Sequence, residues 1–278
     1  YDSIRGPLKR IKSNSNDLES TFSNSLTSFD SNGFFLGSPN NVNYSGDDFV
    51  AWCWKGGGDA VQNNDGTIQG ASCLVSANQD AGFSIVKYAG NSTAGATIGH
   101  GLSAKPELIL IKNLDSSLNW IAYDTNINSV GYLDLPDAFA TSRLSWAFNS
   151  TDPTDTLITL GSNNAVNANT DDYIAYCFHS VTGYQKIGSY TGTEASGNFQ
   201  QTGFEPTWVM VKRTDSSGAW LILDNKRSTT NPRDKFLMAD DPSLEGTADG
   251  ITFASNGFSF TDGDYNNDEG TFIYLAIA

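Results

Sequence analysis

The sequence has few basic residues and no long apolar run, and each shortage argues against a class of partner. It contains 16 Lys and Arg against 31 Asp and Glu, a formal net charge of -15. Because such a charge repels phosphate backbones and anionic headgroups, we expect no nucleic-acid partner. The longest apolar stretches, such as ELILI at 107–111, are far shorter than the roughly 18–20 residues of a membrane helix, so we expect no membrane insertion.

Cysteine and histidine are also scarce, which limits the chemistry that the chain can perform. Three cysteines, Cys53, Cys73 and Cys177, cannot complete a disulfide framework, and none has the CxxC or Cys/His spacing of a metal site. The two histidines, His100 and His179, do not fall on matching histidines elsewhere in the chain. Since no nucleophile elbow, P-loop or HExxH motif occurs either, we predict no catalytic residues and no enzyme.

Aromatic and small polar residues are abundant. Hydrophobic residues make up 38% of the chain and aromatic residues 12%, with little proline and no low-complexity run, which predicts a packed globular protein. Ser, Thr, Asn and Gly must supply most of the polar surface. That composition suits secreted, extracellular or virion proteins.

A long internal match organises the chain. PELILIKNLDSSLNWIAYD at 106–124 aligns with PTWVMVKRTDSSGAWLILD at 206–224 at a constant offset of 100. The offset pairs Lys112 with Lys212 and Trp120 with Trp220. A match of this length indicates duplication within the chain.

Shorter matches extend the duplication to three units. FVAWCW at 49–54, YIAYCF at 173–178 and FIYLAI at 272–277 take the same place in each unit. FDSNGF at 29–34 matches FASNGF at 253–258, which predicts the same hairpin in the first and last units, with Asn-Gly in the turn. We predict three domains: a partial first repeat at 1–80, a second repeat at 81–182 and a third at 183–278.

The first unit matches only the later part of the other two. About 40 residues at the front of a complete unit have no counterpart in it. We expect the missing strands to lie upstream in a longer natural chain or to come from another subunit. A half sandwich would otherwise leave sheet edges open.

Each complete unit has the pattern of an all-β domain. Short runs of β-branched and aromatic residues alternate with Gly, Asn, Asp and Ser, and about seven such runs in roughly 100 residues are typical of a sandwich. We therefore predict an all-β protein of tandem antiparallel β-sandwich repeats, jelly-roll or lectin-like, of about 100 residues each. YIAYCF is apolar on both faces and is predicted to be a central strand. A propeller, whose blades need only about 40–50 residues, is the less favoured alternative.

Tryptophans without a match between units are the candidate ligand-binding residues. Trp54 ends its apolar segment, Trp146 has no evident counterpart, and Trp208 stands where the second unit has leucine. Aromatic faces of this kind commonly stack on sugars. Trp120 and Trp220, which both copies of the unit retain, are predicted to be core residues instead.

An acidic loop near the C-terminus is the candidate metal site. Asp262, Asp264, Asn266 and Asp268 alternate along DGDYNNDE at 262–269, and oxygen ligands at that spacing can surround calcium. The loop lacks the sixth-position glycine and the terminal glutamate of an EF-hand, so an ordinary acidic hairpin loop is the alternative. We predict no cofactor apart from this calcium candidate.

Several motifs, taken in order, resemble one known family. YDSIRGP at 1–7, FDSNGFFLGSPNNVN at 29–43, FVAWCWKGGG at 49–58 and GFEPTWVMVKRTDSSGAW at 203–220 are similar to an uncharacterised repeat domain of predicted structural and tail-fibre-like proteins of marine tailed bacteriophages. The resemblance covers essentially the whole chain. It brings no catalytic or ligand-binding residues with it.

The resemblance implies a function in the virion. We expect a non-enzymatic tail-fibre or surface-appendage module on the virion exterior that attaches to the host surface or its glycans. Its partners would be other virion proteins and a host glycan or protein, and analogy with fibres suggests a homo-oligomer. The alternatives are a capsid or tail decoration protein and a glycan-degrading tailspike.

Overall fold

Strands dominate the fold, as the runs of β-branched and aromatic residues between turn residues favour. A computed structural model describes residues 1–38, 40–261 and 266–278. Strands account for 41% of the residues and helices for 5%. The prediction of an all-β protein is confirmed.

The elements of the described part of the chain follow in sequence order. The strands are β1 (Lys9–Arg10), β2 (Ser20–Thr21), β3 (Leu26–Asp30), β4 (Gly33–Leu36), β5 (Val61–Asn63), β6 (Gly70–Asn78), β7 (Phe83–Ala89), β8 (Thr97–Gly99), β9 (Leu108–Asn113), β10 (Ile121–Asp124), β11 (Ser129–Tyr132), β12 (Leu157–Thr159), β13 (Asp172–Phe178), β14 (Gln185–Gly192), β15 (Phe199–Gln201), β16 (Trp208–Arg213), β17 (Trp220–Asp224), β18 (Arg233–Met238), β19 (Gly246–Ala254), β20 (Gly257–Phe260) and β21 (Gly270–Ile277). The short helices are α1 (Asn40–Asn43), α2 (Leu144–Phe148) and α3 (Asn164–Asn167), and a 3₁₀ turn covers Thr141–Arg143. Within these residues no helix is long and apolar enough to span a membrane.

Two large antiparallel sheets carry most of the strands. One has seven strands in the order β11-β10-β9-β13-β7-β6-β5, and the other has eight in the order β14-β21-β16-β17-β18-β19-β20-β15. One of the sheets is nearly closed and barrel-like. Three two-stranded ladders, β1-β2, β3-β4 and β8-β12, complete the described strands.

Five strands follow the same order in both large sheets. The run β7-β13-β9-β10-β11 in one sheet corresponds to β14-β21-β16-β17-β18 in the other. The segments that match in sequence form β9 and β16, β10 and β17, and β13 and β21, so they occupy the same places in the two sheets. The boundary that we predict at residues 80 and 81 lies between β6 and β7, which are paired neighbours in the seven-stranded sheet.

Strands β13 and β21 lie inside their sheets and are covered on both faces. β13 pairs with β7 and β9, and β21 pairs with β14 and β16. Along β13, Tyr173, Ala175 and Cys177 face one core cluster, whereas Ile174 and Phe178 face another. A strand buried on both faces is apolar throughout. The prediction that YIAYCF is a central strand is confirmed.

Three core clusters result from this packing. One lies between the seven-stranded sheet and the β8-β12 ladder, and another lies on the far face of the eight-stranded sheet. The third, which we call the central cluster, combines side chains from both large sheets with partly buried residues of the first 60, among them Trp52 and Trp54. Its buried members are Phe83, Ile85, Leu108, Leu110, Leu114, Trp120, Ala122, Leu133, Phe139, Ile174, Phe178, Ile187, Trp208, Met210, Trp220, Ile222, Ala239, Ile273 and Leu275.

The two matched hairpins form, but with a different turn from the one predicted. Asp30 pairs with Gly33 and Ala254 with Gly257, so the loops are Ser-Asn and each glycine begins the second strand. Neither glycine has a positive φ. A Cβ on Gly257 would lie 2.1 Å from the carbonyl oxygen of Gln200. The prediction of an Asn-Gly turn was therefore wrong, and Gly257 serves the close approach of β15 instead.

Candidate functional site

A buried lysine lies at the edge of the central cluster. Lys112 projects from β9 and is 0% exposed. Its Nζ atom donates to the carbonyl oxygens of Asn113 and Leu118, both at 2.9 Å, and to the carbonyl oxygen of Asn16 at 3.4 Å. The ammonium group thus hydrogen-bonds to the loop after β9 and to a segment that lies about 100 residues earlier in the sequence.

The matching lysine of β16 repeats this arrangement. Lys212 is also 0% exposed, and its Nζ atom donates to the carbonyl oxygen of Gly218 at 2.6 Å and to that of Pro136 at 3.2 Å. Gly218 takes the place of Leu118 at the offset of 100. Buried cations are stable only when hydrogen bonds replace their hydration, and backbone carbonyls do so at both positions.

The matched tryptophans bind the same two earlier segments. The indole Nε1 of Trp120 donates to the carbonyl oxygen of Lys12 at 2.7 Å, and that of Trp220 donates to the carbonyl oxygen of Tyr132 at 3.0 Å. Both tryptophans are buried in the central cluster, as predicted for residues that both copies retain.

These contacts define two equivalent joints. Joint one consists of Lys112 and Trp120 with the carbonyls of residues 12 and 16, and joint two consists of Lys212 and Trp220 with the carbonyls of residues 132 and 136. The two pairs of acceptors are 120 residues apart in sequence. One set of side chains therefore fastens each matched segment to the segment that precedes it.

Burial shifts the pKa of the lysines in both joints and of an aspartate beside them. It lowers the pKa of Lys112 and of Lys212 to about 8, although the carboxylates of Asp134 and Asp240 act in the opposite direction. Burial likewise raises the pKa of Asp134 to about 6. Neither ammonium group has a carboxylate at ion-pair distance among the described residues.

The wild type is expected to gain stability relative to the Lys212→Met variant as the pH rises from about 8 to about 10.5. The pKa of Lys212 is about 8 in the folded protein against an ordinary 10.5, so the cost of burying the cation is full below about pH 8 and disappears above about 10.5. The difference in the free energy of unfolding, wild type minus Lys212→Met, should rise by up to about 3 kcal/mol across that window.

Urea unfolding of both proteins at several pH values measures this difference. Tyrosine titration also changes the free energy of unfolding in this range, but its contribution cancels in the difference because both proteins contain the same tyrosines. Lys112→Met, the matched variant, should behave in the same way. A difference that stays constant with pH would contradict the assignment of the shifted group to these lysines.

Three aspartates at matched positions form the second part of the site. At the first, the Asp2 carboxylate accepts from Arg5 Nε at 2.6 Å and from the hydroxyl of Tyr176 at 2.7 Å. The side chains of Asp2 and Arg5 are almost completely buried. The contact with Tyr176 ties the first residues of the chain to β13.

Asp224 in β17 has corresponding partners, an arginine three residues later and an aromatic donor. Asp224 accepts from Arg227 Nε at 2.7 Å and from the indole Nε1 of Trp52 at 3.3 Å. The guanidinium carbon of Arg227 also lies 5.5 Å from the centroid of the Trp52 ring. Burial acts to raise the pKa of Asp224, but hydrogen bonds from the backbone and side chain of Arg227, together with its positive charge, hold that pKa below its ordinary value.

The position in β10 lacks both partners. Three residues after Asp124 stands Ile127 rather than an arginine, and Leu275 replaces the aromatic donor. Oδ1 of Asp124 accepts from the backbone N–H of Asn126 at 2.8 Å, whereas Oδ2 is buried with no hydrogen-bond partner among the described residues. Burial raises the pKa of Asp124 to about 7. The carboxyl group is therefore held in an environment that favours its neutral form.

A small cavity adjoins Asp124 between the two large sheets. Its volume is about 10 Å³, which is close to the space that one water molecule requires. It is lined by Leu108, Asp124, Met210, Trp220, Ile273, Tyr274 and Leu275. The cavity therefore lies between the carboxyl group of Asp124 and Trp220 of joint two.

Two of the three candidate tryptophans come together in the central cluster. The rings of Trp54 and Trp208 are 5.4 Å apart and nearly perpendicular, and Trp52 lies 6.2 Å from Trp208 in a similar edge-on arrangement. Trp146 packs partly buried against a different core cluster, the one beneath the β8-β12 ladder. Carbohydrate binding by these residues stays a prediction.

The candidate calcium loop falls only partly within the described residues. Asp262 and Asp264 lie outside them. Of the other two, Asn266 is buried and its carbonyl accepts from the hydroxyl of Tyr190, while Asp268 Oδ2 lies 3.6 Å from Arg213 Nη1. No group of three or more His, Cys, Asp or Glu residues placed to hold a metal occurs in the described part of the chain. Calcium binding stays a prediction.

The sequence contained signals for the residues that pattern reasoning overlooked. A lysine ends the apolar runs LILIK and WVMVK at the same place in both copies, which is unusual for strands buried on both faces. Likewise, the alignment that pairs Arg5 with Arg227 places Ile127 at the third position. Each signal becomes interpretable only when the burial of the residue is known.

Comparison of the chain with curated proteins and with solved structures gave no match. Comparison with family models gave one match, to a domain of unknown function, DUF7483, over residues 1–278. Because that match spans the full length of the chain, this protein belongs to the DUF7483 family.

Proposed function

We propose that this protein is a non-enzymatic module of a tailed-phage virion, a tail-fibre or surface appendage that attaches to the host surface or its glycans. One observation carries the structural part of the proposal. The repeated ionisable and aromatic residues, Lys112 with Trp120 and Lys212 with Trp220, are engaged in fastening chain segments together. A module built to hold its parts in fixed positions suits an appendage that must stay rigid.

The proposed fold is a series of tandem β-sandwiches, jelly-roll or lectin-like. Support comes from the ladder β8-β12, whose Ile98 and Ile158 share a core cluster with Ile109 and Ile111 of the seven-stranded sheet. A second layer packed on a sheet across one apolar core is the basic element of a sandwich.

Surface charge and sequence motifs support the proposed location. A net charge of -15 and a surface rich in Ser, Thr and Asn favour solubility outside the cell. The motifs from YDSIRGP to GFEPTWVMVKRTDSSGAW supply the resemblance to phage structural proteins. Other virion proteins, a host glycan or protein, and further copies of the chain are the proposed partners.

Labelling of intact particles tests the location. Gold-labelled antibodies against the purified protein should decorate the tail or its appendages in electron micrographs of the phage that encodes it. Label spread over the head would favour a decoration protein instead. Particles that carry no label, while a known tail protein is labelled in parallel, would overturn the proposal.

Competition for host cells tests attachment. Purified protein added before the phage should reduce the adsorption rate constant in a dose-dependent way, whereas protein unfolded by heat should not. If adsorption is unchanged and a glycan array shows no binding, attachment is excluded even where the protein is located on the tail.

A further inference from the structure

Residues 49–54 take the place of a central strand but have no strand neighbours. The matching segments β13 and β21 each pair with a strand on either side. Residues 49–54 belong to no strand, and among the described residues their backbone forms no hydrogen bond with another backbone group. Both edges of this segment therefore lack a paired strand among the described residues.

One face of the same segment is also open. Trp52 and Trp54 pack into the central cluster, whereas Phe49, Ala51 and Cys53 on the alternate face are exposed. Phe49 is 50% exposed, while Tyr173 and Phe272 at the matching positions are 0% exposed. Cys53 is likewise exposed, whereas Cys177 at the matching position is buried.

The hairpin β3-β4 shows the same contrast. Phe29 and Leu36 are 42% and 39% exposed, whereas their counterparts Phe253 and Phe260 are 3% and 2% exposed. In the matching hairpin β19-β20, the outer strand pairs with β15. The outer edge of β4 has no such neighbour among the described strands.

We propose that the hairpin β3-β4 and residues 49–54 form an acceptor surface for β-strands of a partner polypeptide. The strands beside β13, which matches residues 49–54, show what kind of strand covers this surface. β7 and β9 flank β13, and they present alternate apolar residues to both core clusters. The partner is thus a polypeptide with an unpaired strand of that pattern, which adds to residues 49–54 by backbone hydrogen bonding.

A second copy of this chain could supply only part of the requirement. Of the strands with the required pattern, β7, β9 and β16 are paired on both edges and only β14 has one open edge among the described strands, whereas residues 49–54 need a neighbour on each edge. The partner must bring a strand that is free. The inference does not depend on the virion location, because it concerns only which segments lack neighbours.

The register of β9 on β13 makes the inference testable through the exposed thiol. Cys177 lies opposite Ile109, and Leu110 points to the other face. A synthetic peptide of residues 106–114, PELILIKNL, with Ile109→Cys should therefore place its thiol opposite Cys53 and form a disulfide under mild oxidation. The Leu110→Cys peptide is the matched control, and it should react at least about tenfold more slowly, since a one-residue shift turns the thiol to the other face.

The protein itself provides the remaining controls. Cys53→Ala should abolish the cross-link, because Cys73 and Cys177 are buried. Equal rates for the two peptides would show random thiol contact and overturn the inference. If Cys53 does not react with dithionitrobenzoate in the protein alone, the surface is already covered. If the protein dimerises through Cys53 in a concentration-dependent way and does not respond to peptide, the occupant is a second copy. Both outcomes would also overturn it.

Discussion

Asp124→Asn is expected to raise the free energy of unfolding at pH 8 by up to about 4 kcal/mol and to leave it nearly unchanged near pH 4. Burial raises the pKa of Asp124 from 3.8 in the ordinary carboxyl group to about 7 in the folded protein. The unfolded state therefore loses this proton first as the pH rises. The wild type pays a growing cost between about pH 4 and 7, and the neutral amide of the variant does not.

Urea unfolding of wild type and Asp124→Asn from pH 4 to 8 measures the effect as a widening difference between the two curves. The matched control is Asp224→Asn. Asp224 accepts hydrogen bonds from Arg227 and Trp52, and its interactions with Arg227 hold its pKa below the ordinary value, so that variant should be less stable than the wild type at pH 8. If Asp124→Asn is destabilised at pH 8 by as much as Asp224→Asn, Asp124 has a partner and the prediction is wrong.

A second variant tests the reason for the shift. Ile127→Arg places a guanidinium three residues after Asp124, the spacing at which Arg5 and Arg227 bind their aspartates. An arginine that reaches the carboxylate lowers its pKa, because an opposite charge favours the ionised form. The variant should therefore lose the pH dependence between about pH 4 and 7 without any change at Asp124 itself.

Trp220→Ala is expected to cost about 3–5 kcal/mol of stability, the usual range for a fully buried aromatic residue. Trp220 is buried in the central cluster, packs against Phe139 with ring centroids 5.9 Å apart, and donates its Nε1 hydrogen to the carbonyl of Tyr132. Its removal leaves a cavity between the two sheets and an unsatisfied carbonyl. Denaturant unfolding, compared with the wild type at one pH, gives the loss directly.

Two further substitutions separate packing from hydrogen bonding. Trp220→Phe keeps most of the ring but removes the donor, so it should cost about 1–3 kcal/mol. Trp146→Ala, at a partly buried tryptophan outside the central cluster, should cost less than Trp220→Ala. Hydrogen exchange should also show faster exchange around residues 129–132 in Trp220→Ala. A loss no larger than that of Trp146→Ala would contradict the role of Trp220 in the joint.

Local patterns predicted much of the fold because strands and turns depend on neighbouring residues. Alternating and continuous apolar runs predicted the strands, and the apolar character of YIAYCF on both faces placed β13 inside a sheet. The turn of the hairpins was misassigned because Asn-Gly is compatible with several geometries. The position of Gly257 follows from the approach of β15, which is a contact with a distant segment.

The candidate site was harder to predict, since its properties come from burial. Lys112 and Lys212 were visible as matched residues, but each also binds a carbonyl of a distant segment, about 100 residues earlier for Lys112 and 76 for Lys212. Asp124 and Asp224 have the same residue type and the same place in their segments. The pKa of Asp124 is raised and that of Asp224 lowered, because the fold buries both carboxylates but brings an arginine only to Asp224.

The sequence by itself determined the all-β class, the duplicated segments and the residues that both copies retain, because these follow from local periodicity and internal identity. Only the tertiary structure decided that the lysines are buried, that Oδ2 of Asp124 has no hydrogen-bond partner among the described residues and that Cys53 is exposed. Each of those properties depends on which distant segments pack together, and on whether a neighbouring strand is present to replace water.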